Sequence, residues 1–181
     1  MKAFKKLIAA ALVCALALTM LTACGGGSGS GTSTIGEEFE NKYIAAINTL
    51  RGENAEKLEN DTDLRNKALA QLAKINEDGT IAPTDANTTT GTLSDDKKFV
   101  TAVTIYVPTA NKGEVVGGVC QAKEITPNSL GEITTDKDSP DADVVEAARA
   151  LKRIGIATKV INGKTYAAIA MEFVKSVPDN A

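Results

Sequence analysis

Hydrophobic positions change their period along this chain, and each change predicts an element. Leu7 to Met20 is an apolar run of 14 residues, too short for the roughly 20 that span a bilayer as a helix. Phe39, Tyr43, Ile47 and Leu50 then recur at spacings of four, four and three. That is one face of a helix, placed at Glu37 to Asn54. Glu37, Glu38 and Glu40 suit the positive end of its dipole, and Gly52 marks where it ends or frays. Asp61-Thr62-Asp63 supplies capping residues for a second helix with Leu64, Ala68, Leu72 and Ile75 on its apolar face, stopped by Gly79 and Pro83. Both amphipathic helices are expected to cover the same core.

Beyond them the period shortens. Pro83 to Asp96, rich in Thr, Asn and Asp, reads as a loop. Phe99 to Val107 is β-branched and aromatic and ends at Pro108, which predicts a strand. Val115 to Ala122 predicts a weaker one, with Gly117-Gly118 as a bulge or close contact. Pro127 to Asp141 reads as a loop, after which Asp141 or Asp143 caps a short helix reaching about Lys152. Val144, Ala147, Ala148 and Leu151 form its buried side. The clearest signal is the last one. Ile154 to Ile161 and Thr165 to Val174 are β-rich runs joined by Asn162-Gly163, the pair that favours a type I′ hairpin. Helices first and antiparallel strands last make an α+β domain.

The N-terminus adds a location. Lys2, Lys5 and Lys6 precede the apolar run, and small residues follow it, as in a secretory signal. Leu21-Thr22-Ala23-Cys24 resembles the lipobox of bacterial lipoproteins. That resemblance implies cleavage before Cys24, a diacylglycerol thioether on its sulfur, and a place on the extracytoplasmic face of a bacterial membrane. Gly25 to Ser33 reads GGGSGSGTS, a flexible tether with an average reach of about 17 Å. The division expected is residues 1–23 as lipoprotein signal peptide, 24–34 as acylated cysteine and tether, and 35–177 as a single domain. Of 20 basic and 23 acidic residues, the signal removes three lysines, leaving 17 against 23 and a charge of −6. That balance argues against nucleic acid as a partner. With Cys14 removed and Cys24 acylated, Cys120 stands alone, so no intramolecular disulfide forms. Its apolar surroundings read as those of a small buried hydrophobe.

Two stretches together resemble the CAP superfamily (cysteine-rich secretory, antigen 5 and pathogenesis-related-1, or SCP-like, proteins) in its bacterial form. Ala46-Ile47-Asn48-Thr49-Leu50-Arg51 is similar to the opening helix with its Asn-x-x-Arg, and Leu58, Asp61, Leu64 and Ala68 follow at similar spacing. Ile154-Gly155-Ile156-Ala157, then Asn162-Gly163-Lys164-Thr165-Tyr166 and Phe173, is similar to the closing hairpin. The resemblance implies a CAP-like α-β-α sandwich in which Asn48 and Arg51 tie the first helix to its surroundings. It also marks departures. The family's cleft holds two histidines and two acids, and this chain has no histidine. Asn60 stands where a tryptophan is expected before Leu64.

Other chemistry is thin. Ser94-Asp95-Asp96-Lys97 matches Ser-x-x-Lys without the companion motifs of penicillin-binding enzymes. Gly163-Lys164-Thr165 lacks the earlier glycine of a phosphate loop, since Thr158 stands there. Asp136, Asp138, Asp141 and Asp143 crowd one loop and could offer oxygens to Ca²⁺, although Pro140 and Ala147 fall at ligand positions of an EF-hand. Without histidine, imidazole acid–base catalysis and histidine-held zinc are excluded by composition. The expectation is a non-catalytic, membrane-anchored binding or interaction domain with no cofactor and no metal. It is held to the membrane by its lipid and directed at an envelope protein, a glycan or an apolar ligand. Two alternatives stand beside it: a carboxylate- or metal-dependent hydrolase drawing on Asp136, Asp138 and Glu146, and a structural envelope lipoprotein.

Overall fold

The computed structural model describes residues 34–110, 117–133 and 142–176. The signal, Cys24, residues 25–33 of the tether, and Asp136, Asp138 and Asp141 lie outside the described residues. Thr34, placed at the end of the tether by sequence, caps helix α1 (Ile35–Arg51). Its hydroxyl accepts from the Glu37 N–H while the Glu37 carboxylate accepts from the Thr34 N–H, a reciprocal capping box. The helix stops at Gly52, whose φ of 85° suits glycine, three residues short of the expected Asn54 end. Asp61 caps α2 (Thr62–Leu72), accepting from the Leu64 N–H. Ile75 lies past the end of α2 but is buried as its pattern requires.

Two expected loops contain structure. Pro83 to Asp96 holds a single turn, α3 (Pro83–Ala86), and a seven-residue strand, β2 (Asn87–Leu93). Its threonines are β-branched and suit a strand, and they are polar because the strand lies at the sheet edge. Pro127–Glu132 forms a short helix, α4, capped by Thr126. Conversely, the strand expected over Val115 to Ala122 is reduced, within the described residues, to β4 (Cys120–Gln121), paired with β1 (Thr80–Ile81). Gly117 and Gly118 both have positive φ, 63° and 86°, in the turn before it. Helix α5 (Ala142–Ala150) ends before Lys152, because Leu151 already opens the next strand.

That strand, β6 (Leu151–Ile161), and β7 (Lys164–Ser176) form the expected hairpin, with φ of 48° at Asn162 and 77° at Gly163 as a type I′ turn demands. β7 is the spine of an antiparallel five-stranded sheet. β6 lies along one side of it. Along the other run β3 (Phe99–Tyr106) and then β5 (Glu124–Ile125), and β2 lies outside β3.

The helices do not share one core. Alternation along β7 sends Ala167, Ile169, Met171 and Phe173 to one face, where α1, α4 and α5 pack through Phe39, Tyr43, Ile47, Leu130 and Ala148. Tyr166, Ala168 and Ala170 point to the other face, under Leu64, Ala68 and Leu72 of α2. The hairpin is sorted by size: Ile154 pairs with Met171 and Ile156 with Ile169 on the α1 face, Gly155 with Ala170 and Ala157 with Ala168 on the α2 face. The small residues let α2 settle close. A methyl group on Gly155 would meet the Arg65 backbone nitrogen at 2.2 Å. Each fully buried Leu or Ile in these layers contributes about 1.5–3 kcal/mol before chain entropy is subtracted.

Candidate functional site

Among the described residues, polar side chains converge most densely on the seam where α1, the α1–α2 connection, α2 and β6 meet. Glu40 lies at its centre, on the edge of the apolar face of α1, with its side chain 9% exposed. One carboxylate oxygen accepts from the Thr158 hydroxyl at 2.9 Å and Arg65 Nη2 at 3.3 Å. The other accepts from Asn60 Nδ2 at 3.1 Å and Arg65 Nε at 3.2 Å. Asn60 also brackets the edge of β6, donating to the Ile156 carbonyl at 3.0 Å and accepting from its N–H at 2.8 Å.

A second cluster adjoins it. Arg153 donates through Nη2 and Nε to the two oxygens of Asp61, at 2.8 and 2.9 Å, and through Nη1 to Glu172 at 3.2 Å. The Leu64 N–H, followed by the Arg153 guanidinium, holds the Asp61 carboxyl below the usual aspartate value. The same carboxylates push the Arg153 guanidinium above its ordinary value.

The chemistry of this seam is cohesive. Both oxygens of Glu40 and of Asp61 accept from donors belonging to the protein. Asn48 and Arg51 act in the same way. The Asn48 side chain exchanges two 2.8 Å hydrogen bonds with the backbone of Leu58. Arg51 Nη1 donates to the carbonyls of Ala148 and Leu151 at 2.7 and 2.6 Å, and its other nitrogens reach the Glu56 carbonyl. Arg51 therefore joins the end of α1 to the α5–β6 junction.

The remaining candidates are scattered. Ser94 to Lys97 is the β2–β3 turn: the Ser94 hydroxyl donates to Asp96 and accepts from the Phe99 N–H, and Lys97 has a φ of 58°. Gly163-Lys164-Thr165 is the hairpin turn and the start of β7. Cys120 is a free thiol buried among Ile81, Val107 and Ala122. Asp143 and Glu146 are exposed on α5. No group of three acidic or cysteine side chains among the described residues is placed to hold a metal ion.

The chain matches no protein-family model, no curated protein and no solved structure. The seam thus rests on its own geometry. Sequence reasoning singled out Asn48, Arg51, Asn60 and Asp61, gave Glu40 only a dipole role that the helix start at Ile35 leaves to Glu37 and Glu38, and missed the parts played by Arg65, Arg153 and Thr158. The one signal for Glu40 is positional: it follows Phe39 and precedes Tyr43 by three, at the border of the buried stripe.

Proposed function

We propose that this chain is a lipoprotein of a bacterial envelope. Its Cys24 lipid holds a non-catalytic binding domain on the extracytoplasmic face of the membrane. The observation that carries the reading is the N-terminal succession of Lys2, Lys5 and Lys6, a 14-residue apolar run, Leu21-Thr22-Ala23-Cys24 and a Gly/Ser tether. A cysteine with two acyl chains holds stably where a single chain holds marginally.

The domain reads best as a CAP-like α-β-α sandwich that has kept the scaffold and lost the cleft chemistry. Helices on both faces of the sheet and the Asn162-Gly163 hairpin support this. So does the use of Asn48 and Arg51 as ties between elements. Binding is favoured over hydrolysis because the carboxylates that converge on the seam are saturated by protein donors. The partner class that suits the domain is a protein or glycan of the envelope. Ile47, Leu64, Ile156 and Ala168 fill the helix–sheet interfaces and are fully buried, which leaves an apolar ligand less support.

The test is partition of the expressed full chain between detergent and aqueous phases. Wild type should enter the detergent phase as a processed chain, and Cys24→Ser should accumulate as an unprocessed precursor. Identical processing and mobility of the two would overturn the reading.

A further inference from the structure

We propose that β2 is the pairing edge for a second copy of this chain, joined antiparallel about a two-fold axis at Thr90. This goes beyond the membrane reading and does not depend on it. Three strands of the five-stranded sheet have a single neighbour: the two-residue β5 and the longer β2 and β6. The two long ones are treated differently. The β6 edge is closed. Asn60 brackets Ile156, the Asp61 N–H donates to the Ile154 carbonyl at 2.8 Å, and Lys152, Arg153 and Lys159 charge the strand. Such devices keep an edge from recruiting another strand.

β2 has none of them. Asn87–Leu93 contains no charged residue and no proline, in a chain of which 24% is charged. It pairs with β3 over all seven residues without a bulge, and five of the seven are exposed. No strand lies on its outer side among the described residues.

The backbone pattern fixes which groups face outward. The Val107 N–H donates to the Ala86 carbonyl, and the Ser94 N–H donates to the Phe99 carbonyl. Alternation along an antiparallel ladder then makes Thr88, Thr90 and Thr92 the residues bonded to β3. The N–H and C=O groups of Asn87, Thr89, Gly91 and Leu93 point away from the sheet. A second β2 placed antiparallel across Thr90 sets Thr89 opposite Gly91 and Asn87 opposite Leu93, so outward groups meet outward groups along the whole strand. On the α2 face the same register sets Thr88 opposite Thr92 and Thr90 opposite its own copy. Cross-strand threonine pairs of this kind are favourable. Centring the axis on Thr89 or Gly91 would leave two residues of each strand unpaired.

The test is cysteine cross-linking of the full chain in the intact cell, with copper phenanthroline as oxidant and the parent chain as control for its native cysteines. Thr90→Cys puts two thiols face to face on the axis and should give a reducible dimer on non-reducing gels. Thr92→Cys puts them about 14 Å apart along the strands, beyond disulfide reach, and should give none. Adding Thr88→Lys and Thr92→Lys to the Thr90→Cys chain sets like charges opposite each other and should abolish the dimer, although the thiol remains. No dimer from Thr90→Cys, equal dimer from Thr92→Cys, or a dimer indifferent to the lysines would each overturn the proposal.

Discussion

Replacing Gly155 by alanine should loosen α2 from the sheet. Gly155 lies on β6 beneath the first turn of α2, and its φ is not in the left-handed region, so alanine meets no backbone penalty there. The added methyl would sit 2.2 Å from the Arg65 nitrogen, 2.3 Å from the Leu64 carbonyl carbon and 2.5 Å from Leu64 Cβ. Ordinary contact is 3.4–4 Å, so the helix must withdraw by about 1 Å, because backbone atoms cannot rotate aside as a side-chain tip does. Overpacking of this kind costs about 1–3 kcal/mol, and contact with backbone places it at the upper end. Alanine also restricts the unfolded chain, which offsets roughly 0.4–1 kcal/mol. The net loss of about 2 kcal/mol should lower Tm by roughly 5–10 °C for a domain of this size. Thermal unfolding followed by circular dichroism reads it directly. Gly131→Ala is the control, since nothing lies within 4 Å of its added methyl and it sits inside α4. There a gain of about 0.5–1 kcal/mol is expected. If Gly155→Ala melts with Gly131→Ala, the close seating of α2 on the small-residue face is wrong.

Gly163→Val should cost on the order of 1–2 kcal/mol through backbone conformation alone, because φ is 77° and nothing crowds the position. Gly163→Asn should be much milder, and equal melting of both variants with wild type would refute the type I′ turn. Asp61→Asn should keep the helix cap but lose the charge paired with Arg153. Because the folded state lowers the Asp61 pKa, its contribution is fully present above the unfolded value and disappears as pH falls through the folded one. The Tm gap between wild type and Asp61→Asn should therefore be widest near neutrality and close in acid; a gap that widens on acidification would reverse the sign of the argument.

The parts of the fold that sequence foretold are those where one local rule dominates. Asn162-Gly163 dictates its turn, Asp61 its cap, and the spacing of Phe39, Tyr43 and Ile47 its helix. What sequence misplaced depends on neighbours. β2 is polar because it is an edge strand, and edge position cannot be read from Thr-Thr-Thr itself. Both helices carry an apolar face, and periodicity alone could not say that they lie on opposite sides of the sheet. The size sorting in Ile154-Gly155-Ile156-Ala157 and Ala167-Ala168-Ile169-Ala170 did carry that information, since a strand buried on both faces loses the polar alternation. The seam is the hardest case. Glu40 finds Arg65 and Thr158 only after α2 and β6 have docked, and residues 118 positions apart announce nothing to each other in sequence.

The central claim is the anchor, and the mass of the mature N-terminal peptide tests it most directly. Tandem mass spectrometry of the membrane-extracted protein should find Cys24 as the first residue, carrying a diacylglycerol thioether on its sulfur. A mature chain with an unmodified Cys24 thiol, or one that still begins at Met1, would contradict the account.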